Sequence, residues 1–160
     1  MASRAIETRP DSLRTNLTLG SATLQRHVRV LLVSPDTEVR KPLLRILESL
    51  AVDVIVCSTR AQAEEVLSRR VFEIVFCDEH LPDGSYCDLI HANHCEYRIP
   101  RVAVVTRTGE WDFYFAAMSR GAFDVLRSPW HATDLEMTMI RALRAEDHPP
   151  LSRVAVGDLI

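Results

Sequence analysis

Phe72-Glu-Ile-Val-Phe-Cys-Asp-Glu-His-Leu-Pro-Asp-Gly84 is the stretch that decides how this chain folds. Residues 72–77 form a nearly continuous apolar run, closed by the turn chemistry of Pro82-Asp83-Gly84. Such a run reads as a buried strand. Asp78 stands at its carboxyl end, where open α/β sheets gather their functional groups. Taken alone, the segment allows two readings of Asp78: a functional carboxylate, or a residue that caps the loop.

The flanking sequence supplies the context. Upstream, Val28-Arg-Val-Leu-Leu-Val33 reads as a strand and Ser34-Pro35-Asp36 as a turn and helix start. Val39, Leu43, Leu44, Leu47 and Leu50 then recur at helical spacing. Pro42 inside that helix predicts a kink or a late start, because it removes a hydrogen bond and crowds the preceding turn. Val52 to Cys57 is a second strand, and Ser58 or Thr59 can cap a helix through Arg69 with Ala63, Val66 and Leu67 inward. Downstream come a helix over residues 85–93, a strand from Arg101 to Thr106, a helix from Glu110 to Arg120 stopped by Gly121, a short strand from Asp124 to Arg127, and a helix capped by Thr133. Five strand–helix units in strict alternation predict an α/β fold, a five-stranded doubly wound parallel sheet. The folded domain is expected over residues 28–145. Residues 1–27 read as a polar, disordered arm, and 146–160 as a tail.

Composition narrows the class. A chain of 160 residues with 47% apolar and 26% charged residues suits one globular domain. The net charge of −3 gives no electrostatic case for nucleic acid. No apolar stretch approaches the roughly 18 residues of a membrane span, and the N-terminus lacks the apolar core of a signal peptide. Cys57, Cys77, Cys87 and Cys95 form no CxxC pair, and Cys57 and Cys77 fall in strands; this suits buried thiols in a reducing cytoplasm. Cys87, His91, His94 and Cys95 line one face of the expected third helix. Residues eight apart on a helix lie about 12 Å apart, too far to share one ion at bonds of about 2.0–2.3 Å. A His91/Cys95 subset would need an outside ligand, so no metal is expected there.

Asp78-Glu-His-Leu-Pro82 resembles the D-x-x-[ML]-P motif of the receiver domains of two-component response regulators, which have a flavodoxin-like fold. Gly121-Ala-Phe-Asp124, leading to Ser128-Pro129, is similar to their G-A-x-x-[YF]-[LV]-x-K-P, and Thr106 matches their switch Ser/Thr. The resemblance runs from about Arg29 to Arg144. It implies that Asp78 is a phosphoacceptor served by a histidine kinase or phosphotransfer protein, in a signalling module rather than an enzyme. Phosphoryl transfer to a carboxylate brings negative charge onto negative charge, so charge neutralisation dominates its catalysis. The family supplies this with Mg²⁺ on an acidic pair after its first strand, and with a Lys after its fifth.

Here the acidic pair falls on Ser34 and Pro35, the Lys on Ser128 and the fifth-strand aromatic on Val125. Mg²⁺ binding is therefore expected to be weak. Asp36 comes one or two residues late and reads first as a helix cap. Arg107, after Thr106, is a better substitute cation than Arg127, since adjacent strand residues face opposite ways. Two readings follow: a phosphoacceptor working slowly or through Arg107, and a phosphorylation-independent pseudo-receiver that acts by binding. An aspartate-nucleophile phosphatase would need a second Asp where His80 stands, which sets that third reading aside.

The helix after Thr106 carries Trp111, Phe113, Tyr114 and Phe115. One buried stripe cannot absorb them all. Some of them are expected in the core: Phe115 shares a face with Met118, and Phe113 shares another with Ala117. Trp111 and Tyr114, with Val125, are expected on a face for a protein partner or a homodimer. The tail from Leu151 to Ile160 loosely resembles the first strand of a winged-helix output domain. No recognition helix follows in the sequence, so no nucleic-acid partner is expected.

Overall fold

The computed structural model of the chain describes residues 17–19, 22–24, 28–92 and 101–145. A short antiparallel hairpin, β1 (Leu17–Leu19) with β2 (Ala22–Leu24), comes first. Then follow β3 (Arg29–Val33), α1 (Thr37–Ser49), β4 (Asp53–Cys57), α2 (Arg60–Arg69) and β5 (Ile74–Asp78). A two-residue ladder, β6 (His80–Leu81) with β7 (Gly84–Ser85), turns the chain into α3 (Tyr86–Ala92). The rest is β8 (Arg101–Thr106), α4 (Trp111–Ser119), β9 (Asp124–Arg127) and α5 (Ala132–Ala145).

The main sheet has the order β4-β3-β5-β8-β9, all neighbours parallel. This is the doubly wound, flavodoxin-like order, whose crevice opens where β3 and β5 diverge to helices on opposite faces. Both faces are buried, and the strands alternate strictly between them. Leu31, Val33, Val75, Cys77, Val102 and Val104 pack toward Ala63, Leu89 and Ala117 of α2, α3 and α4. Val30, Leu32, Ile74, Phe76, Ala103 and Val105 pack toward Leu43 and Leu47 of α1 and Leu135 and Met139 of α5. Burial on both sides explains why the strands read as continuous apolar runs.

Several local features add to or change the expectations. Within the segment read as an arm, residues 17–19 and 22–24 pair as the hairpin. In sequence, its Leu-Thr-Leu and Ala-Thr-Leu triplets flank Gly20-Ser21, a dipeptide that is a recognised hairpin signal between alternating segments. Helix α1 does not start late: it begins at Thr37, five positions before Pro42, whose ring nitrogen leaves the Glu38 carbonyl without the usual donor. Thr133 lies inside α5 rather than capping it, and the first-turn amides of Asp134 and Leu135 reach the carbonyl of His131. Cys57 and Cys77 are free, buried thiols, and burial pushes the pKa of Cys77 far up.

Gly121 behaves as read. It has φ 102°, a left-handed value that side chains disfavour. Its amide bonds Met118 O at 3.1 Å and the Ala122 amide bonds Ala117 O at 3.1 Å, the paired bonds of a Schellman stop. A Cβ there would stand 3.3 Å from Ile90 Cγ2. Gly121→Ala is expected to cost about 1–2 kcal/mol, the left-handed penalty for a residue with a Cβ, and to lower the melting temperature; chemical denaturation checks it.

Candidate functional site

Asp78 ends β5 at the carboxyl edge of the sheet, beside the end of β3, in the crevice that this strand order creates. Its carboxylate is held at two points. Oδ1 accepts the Glu79 amide at 2.8 Å, and Oδ2 lies 3.2 Å from the Ser34 hydroxyl. Ser34 is fully buried directly after β3, and its single proton is shared between Asp78 and the Asp36 carbonyl at 3.3 Å. Burial is the largest influence on Asp78 and raises its carboxyl above the ordinary range; the Glu79 and Ser34 bonds oppose this. The charge of Asp36 also raises it, and that of Arg107 lowers it.

Asp36 has two roles. Its Oδ1 accepts the Glu38 amide at 2.8 Å and caps α1, as the sequence suggested. Its Oδ2 forms an ion pair with the Arg107 guanidinium, which arrives from the loop after β8. Both late candidates, Asp36 and Arg107, are thus brought to the mouth of the Asp78 pocket. Pro35, between Ser34 and Asp36, carries no side-chain donor.

Thr106 ends β8, only 2% exposed. Its hydroxyl lies 3.1 Å from Glu79 Oε2 and 3.3 Å from the Thr108 carbonyl, while the Thr108 amide donates to it at 3.2 Å. Glu79 therefore stands between Thr106 and the backbone that holds Asp78. Ser128 is exposed, and its amide bonds the Thr106 carbonyl at 2.9 Å, so the ends of β8 and β9 are tied together beside the pocket. Arg127 faces away from Asp78, toward Gly109 O at 2.8 Å and over the Trp111 ring. His80, at the position a phosphatase would give to an acid, is exposed with Nε2 3.4 Å from Glu79 Oε1.

Sequence reading missed three participants. Glu79 passed as part of the motif's variable interior. Arg40, one helical turn into α1, reaches the Ser34 carbonyl at 3.4 Å and Ser58 Oγ at 3.2 Å. Asp83 lies in the turn between β6 and β7, yet its oxygens accept the Arg60 and Ala61 amides at 2.7 and 3.0 Å, capping α2 from a distant turn. These bonds hold its carboxyl below the usual range. A Pro-Asp-Gly turn signals a turn, but not which helix its Asp will reach.

The donor set does not suit Mg²⁺. That ion requires oxygen ligands in near-octahedral array, and here one carboxylate, Asp78, sits beside a Ser hydroxyl and a Pro. Both oxygens of Asp36 are engaged elsewhere. Among the described residues, no group of three or more His, Cys, Asp or Glu side chains is arranged to hold a metal ion. On the α3 stripe, the Nδ1 of His91 lies 2.9 Å from the Cys87 carbonyl, and His94 and Cys95 fall outside the described residues.

The aromatic helix needs correction. Phe113, Tyr114 and Met118 pack against the core, with Phe113 edge-on to Tyr86. Trp111 and Phe115 are 66% and 62% exposed, so the face of Phe115 is the outer one. Tyr114 is half-buried, with its ring centroid 6.2 Å from Trp111 and 5.8 Å from Phe115. Val125 is core, since β9 is covered on both faces, and it offers no side chain to a partner. A groove of about 480 Å³ opens between β9 and α5, lined among others by Arg127, His131, Met137 and Arg141.

An acidic residue at the switch point of a five-stranded doubly wound sheet, with a hydroxyl at the end of the next strand, fits the class of signalling domain that the sequence resembles. The comparisons agree. The chain is 31% identical over 133 residues to the response regulator PilR of Pseudomonas aeruginosa, covering 79% of this chain and 29% of that protein. It is 28% identical over 121 residues to the alginate biosynthesis regulator AlgB of the same organism, covering 76% of this chain and 27% of that one. Its fold matches the signal receiver domain of a LuxO repressor protein from Vibrio parahaemolyticus with a TM-score of 0.64 at 26% identity, covering 76% of this chain and 96% of that one. No protein-family model matches the chain. The folded part of the chain is a receiver domain of the response-regulator family. The chain spans under a third of the length of the two regulators. Among the described residues, no helix is long and apolar enough to cross a membrane.

The raised pKa of Asp78 fixes the sign of a test. The folded state holds that proton more tightly than the unfolded chain does, so stability falls as pH rises from the ordinary Asp range, about pH 4, through the raised value. Above it, the ionised carboxylate remains a standing cost. Asp78→Asn is therefore expected to raise the melting temperature at neutral pH, with the gain disappearing in acid below that range. A pH series of melts for the two proteins checks both parts.

Proposed function

We propose that this receiver domain signals through protein contacts and does so without depending on phosphorylation, with Asp78 kept as the phosphoacceptor position. The observation that carries the reading is the local replacement of metal-binding chemistry. Where Mg²⁺ ligands are needed, a buried Ser34 donates to Asp78 and the nearest other acid, Asp36, is bound to Arg107 and to the start of α1. Loss of a charge contact to a transition state costs a few kcal/mol, about a hundredfold or more in rate. Here both the acidic pair and the Lys are replaced. A second reading, a slow phosphoacceptor neutralised by Arg107, is favoured by the lowering influence of that guanidinium on Asp78.

Calorimetric titration with Mg²⁺ and intact-mass analysis after incubation with acetyl phosphate separate the two. The expected result is no submillimolar Mg²⁺ affinity and no phosphorylated species with or without the metal. A mass gain that Asp78→Asn abolishes establishes the slow phosphoacceptor instead. A histidine kinase or phosphotransfer protein then becomes the natural upstream partner; on the main reading, such a protein is a binding partner only. Neither reading makes the domain an enzyme with a substrate of its own.

On this reading the contact face comprises α4, β9 and α5, supported by the exposed Trp111 and Phe115 on α4 and by Met137, which is exposed and lines the groove. Aromatic residues concentrate at interface centres, and the occupant is a protein partner or a second copy of this chain. Trp111→Ala/Phe115→Ala is expected to weaken self-association or partner capture at least tenfold while leaving the melting temperature nearly unchanged, because neither side chain is core. Sedimentation and thermal melting read the two effects separately.

A further inference from the structure

The loop after β8 is held at both ends by arginines. At the pocket end, Arg107 pairs with Asp36, 71 residues away, across the mouth above Asp78. At the helix end, Arg127 of β9 donates to Gly109 O at 2.8 Å and lays its guanidinium 5.4 Å from the centroid of the Trp111 ring. Thr108 is pinned between them by its amide bond to Thr106. Three residues, Thr108 to Glu110, therefore connect an ion pair at the acceptor pocket to the first aromatic of the contact face.

We infer that the Asp36–Arg107 pair is a clasp that sets the position of this loop and, through Gly109 and Arg127, the arrangement of Trp111 on the contact face. The clasp has the properties of a switch contact. Asp36 is anchored, because its other oxygen caps α1, so the pair ties the loop to a fixed point. The two side chains are 42% and 53% exposed, which leaves the pair open to competition by salt or by another anion. An anion that takes Arg107 from Asp36 frees the loop at its outer pocket contact. The Thr106–Thr108 bonds and Arg127 then remain as its tethers, and Arg127 carries any shift to Trp111. A phosphoryl group on Asp78, or a carboxylate or phosphate offered by a partner, carries the required chemistry. The inference rests on the reading of the domain as a contact module, and gives that contact a control point without a metal.

The test uses the whole chain with fluorotryptophan at Trp111 and Trp130, followed by fluorine NMR. Trp130 bonds the Leu126 carbonyl at 3.2 Å on the far side of β9, so its resonance reports that the fold is intact. Asp36→Asn keeps the helix cap, since Asn caps as well as Asp, but removes the charge. Asp36→Asn and Arg107→Gln are expected to shift the Trp111 resonance in the same direction, and the double variant to shift it no further than either. Raising salt to about 1 M, where screening reaches about 3 Å, is expected to move the wild type toward the variants and leave the variants in place. Additive shifts, or a Trp111 resonance indifferent to both substitutions, overturn the clasp. If a variant disturbs Trp130, the wild-type salt series decides: a Trp111 signal unmoved by salt overturns the inference. Phosphorylation does not enter this experiment. A phosphorylated Asp78 therefore defeats the earlier reading and spares the clasp, and additive shifts do the reverse.

Discussion

Burial of the central sheet on both faces is the constraint from which the rest follows. Once Leu31, Val75 and Val104 are packed against one helical layer and Leu32, Phe76 and Val105 against the other, the strands have no face left for polar chemistry. Polar side chains of the strands collect at their ends. The parallel arrangement sends all five carboxyl ends to one edge. The order β4-β3-β5-β8-β9 opens a crevice there, because the chain leaves β3 and β5 toward opposite layers. Ser34, Asp78 and Thr106 meet in or beside it because each is the first polar residue after an apolar run, not because they are near in sequence.

That edge carries charges in poor solvent, and its detailed bonding serves to offset this. Asp78 is half-buried, and the Glu79 amide and the Ser34 hydroxyl supply part of the hydration it has lost. Asp36, which would add repulsion, is paired with Arg107. Glu79, next in line, takes the Thr106 hydroxyl. Each acid at this edge is bound to a group supplied by the chain. A divalent cation would have to displace Arg107 from Asp36 and turn the Ser34 proton away from Asp78 before finding a second anionic ligand.

The fold was legible because its signal is long-ranged in sequence. Five apolar runs, each followed by helical periodicity, leave few topologies once crossovers are right-handed. Strand ends and the glycine helix stop were legible too, which is why Asp78 and Thr106 end their strands and Gly121 ends α4 as read. Elements decided by a few residues were harder. The Leu17–Leu24 hairpin carried a turn signal within a segment whose polarity suggested disorder. Phe115 and Trp111 could not be sorted from Phe113 and Tyr114 by spacing alone. Four aromatics within five positions span most of the helix circumference, and only the direction from which the sheet approaches selects the inner pair. Val125 was misplaced for a related reason, since a strand at the edge of the sheet order is still covered on both faces here. Asp83 and Arg40 bind groups contributed by distant turns, and no local pattern encodes those partners.

On the proposed reading a tethered guanidinium stands in for a bound metal, and this has a consequence for how such a domain can be controlled. A metal ion is exchangeable: its occupancy follows concentration, and its charge stays in the pocket only while carboxylates hold it. Arg107 is covalently part of the loop that leads into α4, so its positive charge stays within side-chain reach of that loop. In a metal-bound acceptor site, charge balance and loop position are separate variables, joined only when a phosphoryl group arrives. On the inferred clasp they are coupled. An anion that recruits Arg107 would then move the chain between Thr106 and Trp111, and a contact that moves that chain would change the charge seen by Asp78. Linkage requires the coupling to run equally in both directions. On the proposed reading, a partner docked on the aromatic face and an anion at the pocket mouth therefore act on the same equilibrium, and each can report the presence of the other without transfer of a phosphoryl group.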